Sequence, residues 1–322
     1  MITMNDIQIF VTTYNRPNLL KLTLKSVLAQ TDPVLHIAVL DNGAFSKTKK
    51  QMSAFSKEGI QYHDTSHLGS FGNLLYAQQI LNKKYVMLLH DDDLIHSDYF
   101  SLVLKVINKN KNINLLTCRT IPWAVEDRPR PHPTLCSLGH LFSQQEYATF
   151  VYNSGHPSYS LAIYNSERFK SIDILENFNT FGKWGDVPLM IKIIRDGYAA
   201  VLMDTCGWMG VHSGQDTNTT STRPTYQSWI ERECLFAELL GDDYRTLPGL
   251  SFCLQNYRRL RSGFKRRISK EVSFNQYLKK ARESAALTKR GELFRFFSPK
   301  WLQKIFQRKM KHYYLAKQKE LI

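Results

Sequence analysis

The chain has 322 residues, with 43 Lys plus Arg against 28 Asp plus Glu, a formal net charge of +15 and an apolar share of 43%. That apolar share is enough for a proper core and excludes a mainly disordered chain. The charge is lopsided: residues 255–322 carry 20 Lys/Arg and 4 Asp/Glu, while residues 1–254 carry 23 and 24, so a uniformly basic nucleic-acid binder is also excluded.

In chain order, Ile7 to Val11 is an apolar, β-favouring run and predicts a buried strand. After the polar turn Thr12 to Arg16, Pro17 suits the first turn of a helix, and Leu20, Leu24, Val27 and Leu28 recur at helical spacing. Leu35 to Leu40 predicts a second strand, ending in Asp41-Asn42-Gly43, and a polar helix is expected from Ser46 to Lys57. Ile60 to His63 reads as a short strand, Gly69 to Gly72 leads into a helix with Leu74, Leu75, Ile80 and Leu81, and Tyr85 to Leu89 is a buried strand running into His90-Asp91-Asp92-Asp93. A helix over 97–108 and a strand over 113–118 follow.

Residues 119–158 read as an irregular loop or small insertion over the site, rich in Pro, His and Arg (Arg128 to Pro133). Beyond it the pattern predicts a strand at Tyr159–Tyr164, a helix from Asp186 to Arg195, a strand at Ala199–Met203, a polar loop from His212 to Thr220, and helices for the remainder. Strand–helix alternation with continuous apolar strands predicts an α/β fold, a mostly parallel Rossmann-like sheet flanked by helices. In such sheets ligands sit at the carboxyl ends of strands, which places Thr13, Asp41 and Asp91–Asp93 on one rim.

The five cysteines, Cys118, Cys136, Cys206, Cys234 and Cys253, are scattered and never stand at C-x-x-C spacing, which fits free thiols in a reducing compartment. No basic stretch ahead of an apolar one opens the sequence, and no run approaches the ~18 apolar residues of a membrane span; a cytoplasmic location is expected.

Asp91, Asp92 and Asp93 support two readings. They are a solvated turn capping the next helix, or oxygen ligands for magnesium or manganese; three adjacent like charges at a strand end favour the cation. Asp41 is a turn residue or an acceptor for a base or ribose, Asp186 a helix-terminal Asp or a general base, and His212 a structural histidine or a metal or phosphate contact. Near the C-terminus, Ser298-Pro299 starts a helix with Trp301, Leu302, Ile305, Phe306, Met310 and Tyr313 on one face and Lys300, Lys304, Arg308, Lys311 and Lys317 around the rest. This helix lies on an anionic membrane or packs on the body with a solvated basic face; no nucleic-acid motif accompanies it.

Taken in order, these segments resemble the family 2 glycosyltransferases with a GT-A fold. The resemblance rests on Ile9 to Pro17, Leu24 to Thr31, Val39 to Gly43, Gly69 to Leu75 with Asn73, Leu88 to Asp93 as a DXD-type motif, Gly185 to Leu189, and His212 to Asp216. It implies an inverting transfer from a nucleotide-sugar, UDP-linked in the first instance, to a glycan hydroxyl. It assigns the nucleotide-sugar to Thr13, Asn15, Arg16, Asp41, Asn73, Asp91 and Asp92, the manganese or magnesium to Asp93, Asp91 and His212, and the base role to Asp186. Gly185 departs from the frequent Glu of the family at that position. The implied organisation is a catalytic domain over 1–220, with a nucleotide-sugar half (1–118) and an acceptor half (119–220), then a helical basic region over 221–322. With the basic tail, it points to a lipid-linked acceptor in surface polysaccharide assembly, at the inner face of the membrane. Rival readings are a sugar nucleotidyltransferase, which the glycine-free turn after the first strand disfavours, and a non-enzymatic adaptor on the same fold.

Overall fold

Ile7–Thr13 (β1) is buried on both faces, as the unbroken apolar run requires, and it lies inside the sheet with a strand on either side. The computed structural model describes all residues except 44–45, 69–70, 126–134, 136–137, 214–224, 242–244, 266–271, 298–299 and 322, and the side chains of 46, 56, 183, 294–297 and 300–303. The first half alternates strand and helix: α1 (Pro17–Leu28), β2 (Ile37–Asp41), α2 (Ser46–Ser53), β3 (Gln61–Asp64), α3 (Gly72–Ile80), β4 (Tyr85–His90), β5 (Leu94–Ile95) and α4 (Tyr99–Lys109). The second half runs β6 (Ile113–Ala124), β7 (Leu138–Phe142), α5 (Gln144–Ser154), β8 (Ile163–Asn165), α6 (Ser166–Lys170), α7 (Ile174–Phe181), α8 (Asp186–Ile193) and β9 (Tyr198–Val211). Helices α9 (Tyr226–Leu240), α10 (Leu247–Gly263), α11 (Phe274–Glu283), α12 (Lys289–Phe297) and α13 (Lys300–Lys317) follow, then β10 (Lys319–Glu320).

The strand order is β10-β7-β9-β6-β8-β4-β1-β2-β3, with β5 paired to β9. Strands β3, β2, β1 and β4 are parallel neighbours, and their carboxyl ends align: Thr13 stands opposite Asp41, Asp41 opposite Asp64, and Thr12 opposite His90. Strand alternation sends Phe10, Leu40 and Leu88 to one face of the sheet and Ile9, Val11, Met87 and Leu89 to the other. The expected mostly parallel sheet between helices is therefore present.

The second half departs from expectation in one region. Within 119–158, β6 continues to Ala124, and β7 and α5 are regular elements. The start of α5 is a capping box: the Glu146 N–H donates to Ser143 Oγ (3.4 Å), and the Ser143 N–H donates to the Glu146 carboxylate (2.9 Å). The Pro- and Arg-rich run over 128–133 lies outside the described residues. The strand predicted at Tyr159–Tyr164 shrinks to β8, because residues 159–161 turn to bring Ser160 against β4.

The C-terminal helix α13 packs on the body. Phe306, Met310 and Tyr314 are buried in the same cluster as Phe10 and Leu88, and the Tyr314 ring meets Phe142 at 6.0 Å and Phe150 at 5.4 Å. The buried stripe is shifted from the predicted one: Ile305 is exposed and Tyr313 half-buried, while the side chains of Trp301 and Leu302 and the start at Ser298-Pro299 lie outside the described residues. The chain then returns to the sheet, pairing Lys319 with Gly139 and Glu320 with Leu138, and buries Leu321. Phe236, Leu240 and Phe252 join the same core, so the helical region and the sheet share a hydrophobic centre. Among the described residues, no helix is long and apolar enough to cross a membrane.

Candidate active site

The aspartate triplet begins one residue beyond β4 and is pinned from three sides. The Asp91 N–H donates to Thr12 O (3.1 Å), which continues the β1 pairing past the strand end. The buried Thr23 hydroxyl on α1 lies 2.8 Å from Asp91 O and 2.9 Å from Asp93 O, a donor shared between two carbonyls. The third support is β9, whose Gly210 N–H donates to Asp93 Oδ1 at 3.0 Å. A Cβ at Gly210 would lie 2.2 Å from Asp92 O, so only glycine lets β9 come this close.

The three carboxylates are buried and point to different partners. Asp91 Oδ2 accepts from the Thr13 hydroxyl at 2.6 Å, and Asp91 Oδ1 pairs with the Arg16 guanidinium at 3.2 Å. The same Arg16 nitrogen reaches Asp92 Oδ2 at 3.4 Å, and His212 Nε2 meets that oxygen at 3.0 Å. Burial pushes the Asp91 carboxyl up to about 6, against the Thr13 hydrogen bond and the Arg16 charge, which favour its ionised form. Burial also raises Asp93, reinforced by the charge of Asp92 and opposed by His90, the Ser160 hydroxyl and the Gly210 N–H.

A cation would find ligand atoms here. Those of His90, Asp92 and Asp93 all lie within 4.8 Å of one another, a nitrogen and oxygen donor set that fits a divalent metal. Asp91, expected among the ligands, is turned instead to Thr13 and Arg16. His212 lies against Asp92 rather than within that trio, and the loop that follows it, 214–220, lies outside the described residues.

Asp41 sits on the same rim, fully buried, and accepts from the Gly43 N–H (2.9 Å) and from the Tyr62 hydroxyl (2.9 Å). Asn15 adopts a left-handed backbone, φ 55°, and its side chain lies against Gly43, so the turn after β1 and the turn after β2 interlock. Asn73 accepts from the buried Thr65 hydroxyl, and the Thr65 N–H donates to Asp41 O (2.9 Å); Asn73 thus braces the rim from α3. Gly69 and Ser70 of that segment lie outside the described residues.

Asp186 opens α8, and its Oδ1 accepts from the Val187 N–H at 2.8 Å. The departure at Gly185 has a steric cause: a Cβ there would lie 2.7 Å from the Phe178 ring and 2.8 Å from Asn177 Nδ2, which leaves no room for a side chain. Asp186 lies close enough to Tyr159 for its charge to be felt there. Burial, then the charge of Asp186, push the Tyr159 phenol above its ordinary range, and its ring centroid lies 5.8 Å from that of His90. The Tyr159 hydroxyl is buried and has no hydrogen-bond partner among the described residues.

The structure thus joins Thr13, Arg16, Asp91, Asp92, Asp93 and His212 in one network, sets Asn15 and Asp41 beside it and Asn73 behind them, and places Asp186 near Tyr159. Sequence reasoning missed Thr23, Tyr62, Ser160, Tyr159 and Gly210, and gave His90 no role. Two of these carried a signal: Thr23 is a polar residue in the apolar stripe of α1, and Gly210 is a glycine in a strand-forming run.

Solved structures of GT-A glycosyltransferases share this fold. Staphylococcus aureus TarS residues 1–349 in complex with UDP-GlcNAc aligns with a TM-score of 0.61 at 14% identity, covering 90% of this chain and 83% of that one. A second S. aureus TarS structure aligns at 0.57 and 14% identity, covering 90% of this chain and 50% of that one. The chain belongs to the glycosyl transferase family 2, whose profile matches residues 8–173. No curated protein sequence matches it. Family membership decides for a glycosyltransferase over the nucleotidyltransferase and adaptor readings.

Proposed function

We propose that the enzyme moves a sugar from a UDP-sugar to a hydroxyl of a glycan acceptor, with inversion at the anomeric carbon. The observation that carries this reading is the single network at the strand ends, in which β1, β4, α1 and β9 converge on three buried aspartates. The TarS fold that holds UDP-GlcNAc supports the choice of donor. His90, Asp92 and Asp93 would hold a manganese or magnesium ion. Such an ion supplies Lewis-acid stabilisation of the departing diphosphate.

The protein's own steps are these. The acceptor hydroxyl oxygen forms its bond to the anomeric carbon as the bond from that carbon to the diphosphate oxygen breaks. Asp186 takes the hydroxyl proton. Thr13 and Arg16 hold Asp91, which fixes the turn from which Asp92 and Asp93 project. The acceptor in this reading is lipid-linked and part of surface polysaccharide assembly. The enzyme sits at the cytoplasmic face of the membrane through the exposed basic side of α13 (Lys304, Arg308, Lys309 and Lys311), its apolar stripe being occupied by the body.

Nucleoside diphosphate release from UDP-, GDP- and dTDP-sugars, with and without manganese, tests the donor. Asp186→Asn is expected to lower turnover about 10²- to 10⁴-fold with donor-induced thermal stabilisation intact. Turnover that survives the substitution removes Asp186 as the base. Co-sedimentation with anionic vesicles at low salt, lost at high salt, tests the membrane half; no binding at low salt rejects it.

A further inference from the structure

We infer that Tyr159 selects the transferred sugar: its phenol hydroxyl hydrogen-bonds a ring hydroxyl of that sugar beside the aspartate rim. The inference rests on the sugar transfer proposed above and deepens it.

The placement of Tyr159 is the first argument. The Ser158 N–H donates to Cys118 O (3.2 Å) and Ser158 O accepts from the Thr117 hydroxyl (2.7 Å), which ties one end of the turn to β6. Ser160 Oγ accepts from the His90 N–H (2.8 Å), which ties the other end to β4. The Tyr159 carbonyl accepts from the Ala162 N–H (3.2 Å) and the Tyr164 hydroxyl (2.9 Å). A side chain on a backbone held this way is pre-organised to receive a ligand. The Tyr159 ring centroid lies 5.8 Å from that of His90, whose side chain is exposed.

The hydroxyl is the second. Tyr99 gives its hydroxyl to Leu161 O (2.9 Å), Tyr147 to the Met190 sulfur (3.7 Å), Tyr152 to Glu233 (3.2 Å) and Tyr164 to Tyr159 O. The buried Tyr159 hydroxyl has no such partner among the described residues. Tyr277 and Tyr314 share that lack, but they stand on α11 and α13, which carry none of the site residues. A buried hydroxyl without a partner is costly, and a phenylalanine ring would fill the same space without that cost. A ligand that brings its own polar group completes the hydroxyl.

The reaction is the third. Displacement with inversion sets the anomeric carbon between the acceptor oxygen and the departing diphosphate oxygen. His90 belongs to the group at the diphosphate end. Asp186 stands at the acceptor end; burial, and then the charge of Asp186, raise the Tyr159 phenol, so the two are close. The sugar ring is the part of the substrate that spans these ends, and a residue beside His90 and within the field of Asp186 meets it. The raised phenol keeps its proton at neutral pH, and a phenol O–H both donates and accepts, as a sugar hydroxyl does.

The test is Tyr159→Phe in the full-length protein, assayed with the donor turned over fastest in the UDP-, GDP- and dTDP-sugar series above and with the mono-deoxy forms of that donor. Donor kcat/KM should fall about tenfold, the scale of one hydrogen bond. Affinity for the nucleoside diphosphate should be unchanged, and Tm unchanged or higher. One mono-deoxy donor should be turned over equally by variant and wild type, because the hydroxyl that Tyr159 reaches is already missing from it. Equal kcat/KM for variant and wild type on the full donor overturns the inference. A loss confined to the acceptor KM, with donor hydrolysis in the absence of acceptor unchanged, moves the contact to the acceptor glycan and overturns the assignment to the transferred sugar. A lower Tm with the same loss on every mono-deoxy donor marks a structural role and overturns it too. No turnover by the wild type with any donor of the series overturns the proposed function, and this inference with it.

Discussion

Glu233 and the Asp91–Asp93 rim are two buried acidic centres that the fold treats differently. Glu233 lies between α5, α9 and α10 with no exposed surface. It accepts from Arg259 Nε at 3.3 Å and from the Tyr152 hydroxyl at 3.2 Å, while Arg259 also donates to Tyr152 O at 2.8 Å and stacks 4.0 Å over the Tyr152 ring. One carboxylate meets one guanidinium, and the centre is electrically closed. At the rim, Asp91, Asp92 and Asp93 are 2%, 7% and 3% exposed, and Arg16 is the arginine shared between the first two. Negative charge there exceeds the fixed positive charge close to it. Buried charge without full compensation is costly, and a fold keeps it where something from outside completes it. The closed centre holds helices together, and the open one holds a site.

The largest expected effect comes from opening the closed centre. Arg259→Met leaves Glu233 buried without its cation and should cost about 3 kcal/mol, near the lower end for a broken buried pair because the arginine side chain keeps 25% of its surface. Urea unfolding measures it. Adding Glu233→Gln should recover more than half of the loss. A single variant that costs under ~1 kcal/mol would mean that Glu233 is not held by Arg259, and the contrast with the rim would fail.

A smaller effect is expected from the support beneath the rim. Thr23→Val keeps the shape of the side chain and removes the hydroxyl shared by Asp91 O and Asp93 O, leaving two carbonyls without that donor. The expected loss is about 1–2 kcal/mol of stability. Because Thr23 acts through the aspartates, kcat should also fall, by roughly tenfold on the scale of one lost positioning contact, while Thr23→Ser restores both. Equal kcat in Thr23→Val and wild type would show that the rim does not depend on α1 for its geometry.

The parallel half was legible because β1, β2 and β4 are buried on both faces, which leaves continuous apolar runs that nothing else in a chain of this size produces. The rim was legible for the same reason: where such runs stop, the next polar residues fall at one edge. What was not legible lies in contacts between distant segments. Gly210 reaches Asp93 across 117 positions, and Ser160 reaches His90 across 70. No periodicity records either. The three adjacent aspartates outweighed the histidine before them, because the turn at 91–92 sets which side chains meet and no pattern records it. In 119–158 the density of Pro and Arg hid the Ser143–Glu146 capping box. The α13 stripe gave a helix and an apolar face, and the packing of that face on the body depends on Phe142 and Phe150, aromatic residues more than 150 positions earlier.

The smallest expected effect is at the surface, where the same kind of pair is solvated. Lys317 of α13 bonds to Glu146 of α5, with side chains 40% and 29% exposed. Burial raises the Glu146 carboxyl, but the hydrogen bonds from Lys317 and Ser143 and the charge of Lys317 outweigh it and hold the group below its ordinary value. A carboxyl lowered in the folded state stabilises the fold above its unfolded pKa of about 4.3. That contribution fades as the pH falls through the folded value. Lys317→Ala should therefore cost under about 1 kcal/mol at neutral pH, with the difference from wild type shrinking in high salt and again in acid. Hydrogen exchange in α13 should rise slightly, since Phe306, Met310 and Tyr314 continue to anchor the helix. If Lys317→Ala costs as much as Arg259→Met, burial is not what separates strong pairs from weak ones in this molecule. If it costs little, two basic residues of the same C-terminal segment, Arg259 and Lys317, differ in their hold on the fold because one pair is buried and the other solvated.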